Sequence, residues 1–226
     1  MADLIQTLRT TAAVRDFLPD EVPDDTLARI LDTARFAPSG GNRQGWRVVV
    51  VKDPEKRRRL RDLYLPGWYQ YLAMRAVGLT PWAPVTDFAK ERNAVADAQP
   101  IATGFADHLD EVPVLLALFA DLRALAAVDR DGDRYQFVGG ASVYPFAWNL
   151  LLAARAEGLA GVITTMPVLE EHAVKELFDA PDELALAAVI ALGKPVKQVS
   201  KLTRAAVEDF TTVDSLRGRP FSGPST

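Results

Sequence analysis

Few side chains in this sequence can act as nucleophiles or metal ligands. Of the 226 residues, none is a cysteine and two are histidines, which excludes a disulfide framework and thiolate chemistry. His108 and His172 lie far apart in the chain, and neither has a ligand partner at helical spacing. His172 stands in an acidic stretch beside Glu170 and Glu171, and we expect both histidines to face solvent.

The glycine-rich motifs of several enzyme classes are absent or misplaced. No Gly-x-Gly-x-x-Gly follows a predicted strand, and no phosphate loop ends in Gly-Lys-Ser/Thr. Pro38-Ser39-Gly40-Gly41 is the nearest approach to the nucleophile elbow of hydrolases, but it follows a helix and precedes a strand, which reverses the required order. These exclusions leave chemistry carried by a bound cofactor as the main enzymatic route.

The composition, 49% apolar and 25% charged residues, is that of one ordinary globular domain. A formal net charge of −4 gives no overall field that would attract nucleic acid or an anionic membrane, so an anion site must be a local cluster of positive groups. Arg57-Arg58-Arg59 points in three directions on one helical turn, and we interpret it as a solvated face. Without a signal peptide or an apolar stretch of about 20 residues, we expect a cytoplasmic protein.

Hydrophobic periodicity predicts alternating helices and strands. Val22-Pro23-Asp24-Asp25 is typical of a helix N-terminus, and Leu27, Ile30 and Leu31 follow at helical spacing. Similar reasoning predicts strands over 46–51, 114–120, 159–165 and 184–192, and helices after Asp53, over 141–157 and over 169–178.

Two segments lack a clear period. Aromatic residues alternate with Pro, Gly and Asp over 65–111, which we interpret as a lid or insertion; the aromatic residues are Trp68, Tyr69, Tyr71, Trp82, Phe88 and Phe105. After Gly193-Lys194-Pro195 the chain is polar for more than thirty residues. Such a tail is too long to be an ordinary loop of a compact domain, and we expect it to wrap around something.

Three segments carry a recognisable pattern. The first is Val14-Arg15-Asp16-Phe17 with Val22-Pro23 downstream, and the second is Ala37–Trp46 followed by the strand to Val51. The third runs from Asn149–Arg155 through Thr164-Thr165 to Ala191–Pro195. Together and in this order they resemble the nitroreductase (flavin oxidoreductase) family.

This resemblance implies a single α+β domain over 1–226. The expected architecture is a three-layer α/β/α arrangement around a central mixed, mainly antiparallel sheet, in a domain-swapped homodimer. The extension 194–226 would wrap the partner subunit, and FMN would lie at the subunit interface. The implied enzyme is an NAD(P)H-dependent FMN oxidoreductase.

The resemblance also implies residues that hold the cofactor. Arg15 would contact FMN, and Arg204 would close on its phosphate with Lys201 as a helper, since guanidinium groups match phosphate oxygens. An ion pair with Asp16 or with Glu208 is the alternative for these two arginines.

A loop and a strand end complete the implied site. Pro38, Ser39, Gly40, Gly41 and Asn42 would let the backbone approach the flat ring of the flavin in the neighbouring subunit. Thr164 and Thr165 would donate hydrogen bonds to the pyrimidine side of the ring, where negative charge develops on reduction. A plain turn and ordinary strand threonines are the alternatives.

The implied reaction transfers hydride from NAD(P)H to a small oxidised acceptor, such as a nitroaromatic or a quinone, by a ping-pong mechanism without a catalytic side chain. The aromatic residues of 65–111 would shape the acceptor pocket. Thr11, Ala12 and Ala13 stand where the family commonly has a basic pair and a serine, and Arg9, Thr10 or Thr11 are candidates to compensate. A flavin-sequestering protein, reductive dehalogenation and flavin fragmentation therefore stay open.

Overall fold

A computed structural model describes residues 3–102, 104–133 and 137–221. Its centre is a four-stranded sheet in the order β1-β2-β4-β3, in which every pair of neighbouring strands is antiparallel. The strands are β1 (Trp46–Val50), β2 (Val114–Asp121), β3 (Ala160–Thr164) and β4 (Leu184–Gly193). All four were predicted from apolar runs, and their bounds agree within one or two residues.

In the described residues, six α-helices surround this sheet. They are α1 (Leu4–Thr10), α2 (Asp24–Ala34), α3 (Pro54–Ala76), α4 (Phe88–Ala96), α5 (Tyr144–Ala156) and α6 (Glu171–Leu177). Asp53 begins α3 by accepting hydrogen bonds from the amides of Glu55 and Lys56, and these bonds lower the pKa of its carboxyl group. No helix among the described residues is long and apolar enough to cross a membrane.

The helices form a layer on each face of the sheet. Along β2, Leu116 and Leu118 pack into one core with α2 and α5. The alternate residues Leu115, Ala117 and Phe119 pack into a second core with α3 and α6. This alternation is what strand geometry dictates when both faces are covered, and it confirms the α+β class and the three-layer arrangement. The sheet is antiparallel rather than mixed, because its one parallel pairing in the described chain is an isolated bridge between Ala13 and Gly161.

Helix α3 extends well into the segment predicted to be a lid. It passes through Pro66, which lacks an amide donor, and continues to Ala76. Gly67 allows this path, since a Cβ atom there would lie 2.8 Å from Cδ1 of Leu169 in the turn after β3. Further along, Leu109 is completely buried in the second core. The segment 65–111 therefore contains framework elements, and its role as a lid stays a prediction.

The interpretation of Arg57-Arg58-Arg59 as a solvated face was wrong for Arg57. Its guanidinium is half-buried and donates to the backbone carbonyl oxygens of Asp110 (2.7 Å), Val51 (2.9 Å) and Val112. Burial lowers the pKa of this group. Arg57 thus joins α3 to the end of β1 and to the turn before β2, whereas Arg58 and Arg59 are exposed.

Candidate functional site

Arg15 is positioned by a segment that runs along the outer edge of β3. The amide of Val14 donates to the carbonyl oxygen of Gly161 over 2.9 Å, and Ala13 forms a bridge with the same residue. A second bridge joins Phe17 to Pro195, just after β4. These pairings hold the backbone on both sides of Arg15, whose side chain is exposed.

Arg15, Thr164 and Thr165 come together in one cleft of about 330 Å³, which we call the aromatic cleft. Its remaining lining residues are Tyr64, Trp68, Tyr71, Leu72, Arg75, Ile163 and Met166. Thr164 is buried and donates its hydroxyl to the Tyr64 phenol oxygen over 3.4 Å, while Thr165 is exposed at the strand end. The structure thus brings three of the predicted site residues to the end of β3.

Burial raises the pKa of the Tyr64 phenol, and the hydrogen bond from Thr164 and the positive charge of Arg15 partly oppose this shift. The phenol therefore stays protonated at neutral pH. It is a neutral hydrogen-bonding group at the inner end of the cleft, and the charge there comes from Arg15.

Helix α3 supplies one wall of this cleft. The rings of Trp68 and Tyr71 stack with their centres 5.1 Å apart and an interplanar angle of 8°, and the ring of Tyr64 lies 6.1 Å from that of Trp68. Trp82 extends the row, with its ring centre 6.4 Å from that of Tyr71. The predicted pocket aromatics Trp68, Tyr71 and Trp82 are therefore neighbours, and the wall suits a flat ligand.

Arg204 lies in a separate cleft of about 550 Å³, the tail cleft, between the C-terminus of α1, Trp148 of α5 and the chain after β4. Arg9 and Lys201 line the same cleft. Among the described residues none of these three cations forms an ion pair, so the alternative pairing of Arg204 with Glu208 is not seen there. Within the described parts of the chain, the Arg204 guanidinium donates to the neighbouring carbonyl oxygen of Thr203, over 2.8 Å.

The hydroxyl groups next to this cleft are already engaged. Thr11 is buried and donates to the carbonyl oxygen of Thr7 over 2.8 Å. Thr10 donates to Gln6 over 2.8 Å and accepts from Arg155 over 3.2 Å. Of the candidates to replace the basic pair of the family, Arg9 is the one with a free charged group on the cleft.

The loop Pro38–Asn42 lies at the other edge of the sheet, before β1. The amide of Gly40 donates to Oγ of Ser142 over 3.0 Å, and Oγ of Ser39 accepts from the amide of Gln44 over 3.0 Å. Gly41 and Asn42 adopt left-handed backbone angles, with φ of 60° and 53°. Most of the loop is exposed. Three strand spacings, about 14 Å, separate the edge strands β1 and β3, and the segment of Arg15 lies on the far side of β3 from this loop.

Comparisons with known proteins match this chain to one family. The model of the Nitroreductase family matches residues 8–194. Iodotyrosine deiodinase 1 of Mus musculus is 26% identical over 210 residues, which are 92% of this chain and 68% of that protein. A 5,6-dimethylbenzimidazole synthase of Rhodospirillum rubrum is 30% identical over 192 residues, 80% of this chain and 77% of that protein. The chain spans 62% of the Pongo abelii deiodinase.

Solved structures share the fold. The NADPH:FMN oxidoreductase of Vibrio harveyi, complexed with NAD+, superposes with a TM-score of 0.66 at 19% identity, covering 94% of this chain and 77% of that one. At this identity the likeness concerns the fold alone. The family predicted from the sequence is confirmed.

Proposed function

Since the chain belongs to the Nitroreductase family, we propose that it binds FMN and passes hydride from NAD(P)H to a small oxidised acceptor, such as a nitroaromatic or a quinone. The observation that carries this proposal is that cations of the N-terminal segment line two clefts. Arg9 lines the tail cleft, whose cations have no acidic partner among the described residues, and Arg15 lines the aromatic cleft. A cytoplasmic location belongs to the same proposal.

The tail cleft suits the phosphate of FMN. A phosphate monoester carries a charge of about −1.5 to −2 and is bound best by guanidinium and ammonium donors. Arg9, Lys201 and Arg204 offer such donors, and in the described part of the chain no carboxylate neutralises them. A basic cleft of this kind, in a chain with a net charge of −4, is a local anion site.

The strand end suits the ring system. Thr165 lines both the aromatic cleft and a second cleft of about 320 Å³ between Trp82 and Tyr144. Arg15 would place a positive charge near the ring, where negative charge develops on reduction. When bound, FMN supplies a two-electron carrier that takes hydride from the nicotinamide and gives it to the acceptor. The side chains would bind and orient the reactants, and we assign no acid or base.

A partner subunit would complete the site. The Pro38–Asn42 loop lies at the edge of the sheet opposite Arg15, so one chain does not close both sides of a ring held at Arg15. Helix α1 and the tail also expose large apolar side chains, among them Leu4, Phe210 and Leu216. Apolar surface of this kind is typical of an interface. We therefore propose a homodimer in which the loop of one subunit contacts the FMN of the other.

The test begins with the visible spectrum of the purified full-length protein, before and after reconstitution with FMN. Anaerobic mixing with NADH or NADPH should bleach the flavin absorbance, and a quinone or nitroaromatic should restore it. Protein that stays colourless after reconstitution overturns the proposal. Flavin that neither nucleotide bleaches favours the sequestering role.

Two further measurements test the alternative reactions and the proposed dimer. Incubation with a halogenated phenol would detect dehalogenation, and incubation of reduced FMN with oxygen would detect flavin fragmentation. Relatives of this chain are named iodotyrosine deiodinase and 5,6-dimethylbenzimidazole synthase. Sedimentation of the FMN-loaded protein should give a dimer. A monomer that retains its full flavin content contradicts the shared site.

A further inference from the structure

We infer that Arg75 selects acceptors with an anionic group: the aromatic cleft takes a planar ring along Trp68 and Tyr71 and binds a carboxylate or similar anion at its outer end. This inference rests on the proposed function, because it names the class of acceptor used at that site. The residues that carry it lie on one face of α3.

The first step is the spacing of these residues. Tyr64, Trp68, Tyr71 and Arg75 follow one another at intervals of four, three and four, which places them on a single stripe of the helix. Eleven residues of helix span about 16 Å. Tyr64 is completely buried at one end of the stripe and Arg75 is exposed at the other, so the stripe leads from the end of β3 to the mouth of the cleft.

The second step is charge. No Asp or Glu is among the residues that line the aromatic cleft, and Arg75 forms no ion pair within the described chain. In the part of the chain that the structure describes, the Arg75 guanidinium lies over the ring of Tyr71, with Cζ 6.0 Å from the ring centre. A contact with a ring face leaves the N–H groups at the rim of the guanidinium free to donate. By contrast, Arg58 and Arg61 of the same helix pair with Glu55 and Asp110.

The third step is that the two arginines of the cleft would bind different ligands. Arg15 lies at the inner end, where its charge acts on Tyr64 beside Thr164, and the proposed function gives it to the cofactor. Arg75 lies about three helical turns from Tyr64 along α3. An acceptor whose ring lies against the stacked pair would present its anion to the Arg75 guanidinium, which lies 6.0 Å from the Tyr71 ring centre, and its reducible group towards the end of β3.

Stabilisation of the helix C-terminus is the competing explanation for Arg75. A cation in the last turn interacts favourably with the helix dipole, but a lysine would do so equally well. Recognition of a carboxylate by two parallel hydrogen bonds requires the guanidinium fork. Arg75→Lys therefore separates the two roles, and Arg75→Gln removes both.

The first experiment measures binding of ligands that cannot be reduced. Calorimetry on the FMN-loaded and flavin-free full-length protein compares benzoate with its neutral match, benzamide. We expect the wild type to prefer benzoate by about tenfold, the increment typical of a charged hydrogen-bonded pair. Arg75→Gln should abolish the preference and Arg75→Lys should retain part of it. Arg59→Gln, an exposed arginine of the same helix outside the cleft, should behave as the wild type.

The second experiment measures turnover. The ratio of kcat/KM for 4-nitrobenzoate to that for 4-nitrobenzamide should fall about tenfold in Arg75→Gln, with the KM for NADH and NADPH unchanged. Equal binding of benzoate and benzamide by the wild type, or a preference that survives Arg75→Gln, overturns the inference. A change confined to the KM of a nicotinamide nucleotide also overturns it, by assigning Arg75 to the donor. Because benzoate binding needs no electron transfer, the outcomes of the binding experiment are independent of whether the protein reduces anything.

Discussion

Two clefts of this protein are similar in size and in the number of cations, yet they differ in what the cations do. The larger, the sheet-end cleft, measures about 600 Å³ and is lined by Lys52, Arg57 and Arg58. The tail cleft measures about 550 Å³ and is lined by Arg9, Lys201 and Arg204. Neither volume nor the count of positive groups distinguishes them.

The difference lies in the partners of those cations. In the sheet-end cleft Lys52 pairs with Asp24, Arg58 pairs with Glu55 at 2.6 Å, and Arg57 is bound by three backbone carbonyl oxygens. The cations of the tail cleft have no acidic partner among the described residues. Neutralised cations hold a structure together, whereas unneutralised ones are available to a ligand. The comparison predicts that removal of Arg57 from the first cleft lowers stability, and that substitution of the cations of the second cleft lowers affinity.

The largest effect is expected from Arg57→Ala. Three partly buried carbonyl oxygens lose their donor, so the free energy of unfolding should fall by about 2–3 kcal/mol. Urea denaturation followed by circular dichroism measures it, with Arg58→Ala as the control that leaves stability unchanged. The folded variant should bind FMN as the wild type does. Weakened FMN binding with unchanged stability would reverse the roles of the two clefts.

A smaller effect is expected from Arg204→Ala. Loss of one charged contact to the phosphate should raise the Kd for FMN about tenfold, and should flatten its dependence on ionic strength. The free energy of unfolding without FMN should not change, because the side-chain hydrogen bond of Arg204 among the described residues is to the adjacent carbonyl oxygen of Thr203. Flavin fluorescence gives the Kd, with Arg217→Ala of the same tail as the matched control. An unchanged Kd would remove Arg204 from the site.

The smallest effect concerns the inner end of the aromatic cleft. Tyr64 should titrate above the ordinary tyrosine pKa of about 10, because burial raises its pKa. Arg15→Ala should raise it further, since the charge of Arg15 lowers the pKa of Tyr64. Ultraviolet absorbance during alkaline titration follows the phenol, with Tyr64→Phe to assign the signal. A phenol that titrates lower after Arg15→Ala would show that Arg15 does not face this cleft.

The raised pKa of Tyr64 also predicts how the free energy of unfolding changes at high pH. Above about pH 10 the unfolded chain loses the phenol proton that the folded chain keeps, so the free energy of unfolding should fall as the pH rises. Tyr64→Phe should reduce that slope. An unchanged slope would mean that burial does not raise this pKa.

The strands were predictable because their residues form continuous apolar runs, and β2 is buried along its whole length. Helix α1 was missed, although Asp3 caps it. Its apolar residues Leu4, Ile5 and Leu8 are exposed rather than packed into a core of this chain, so α1 does not belong to the framework that the periodicity predicted. The continuation of α3 was missed because proline and glycine, here Pro66-Gly67, usually end a helix. Close packing on Leu169 overrides that preference, and the contact is a hundred residues away in sequence.

The candidate site shows the same limit. Thr164 and Thr165 were predicted at a strand end and lie there, and the structure adds that Arg15 joins them through the pairing of Ala13 with Gly161. No local pattern encodes that pairing. Arg57 was misinterpreted for a related reason, because its three acceptors are backbone atoms, which carry no signal in the sequence. The roles of the predicted site residues stay predictions until flavin binding is measured.

Helix α3 begins in the framework and ends at the mouth of the aromatic cleft, with no joint between the two. The residues of α3 that line this cleft therefore recur at every third or fourth position of one helix, on a backbone that the core already holds in place. In evolutionary terms, a descendant of this protein could change its acceptor by single substitutions along that stripe, without remodelling any loop and at little risk to folding.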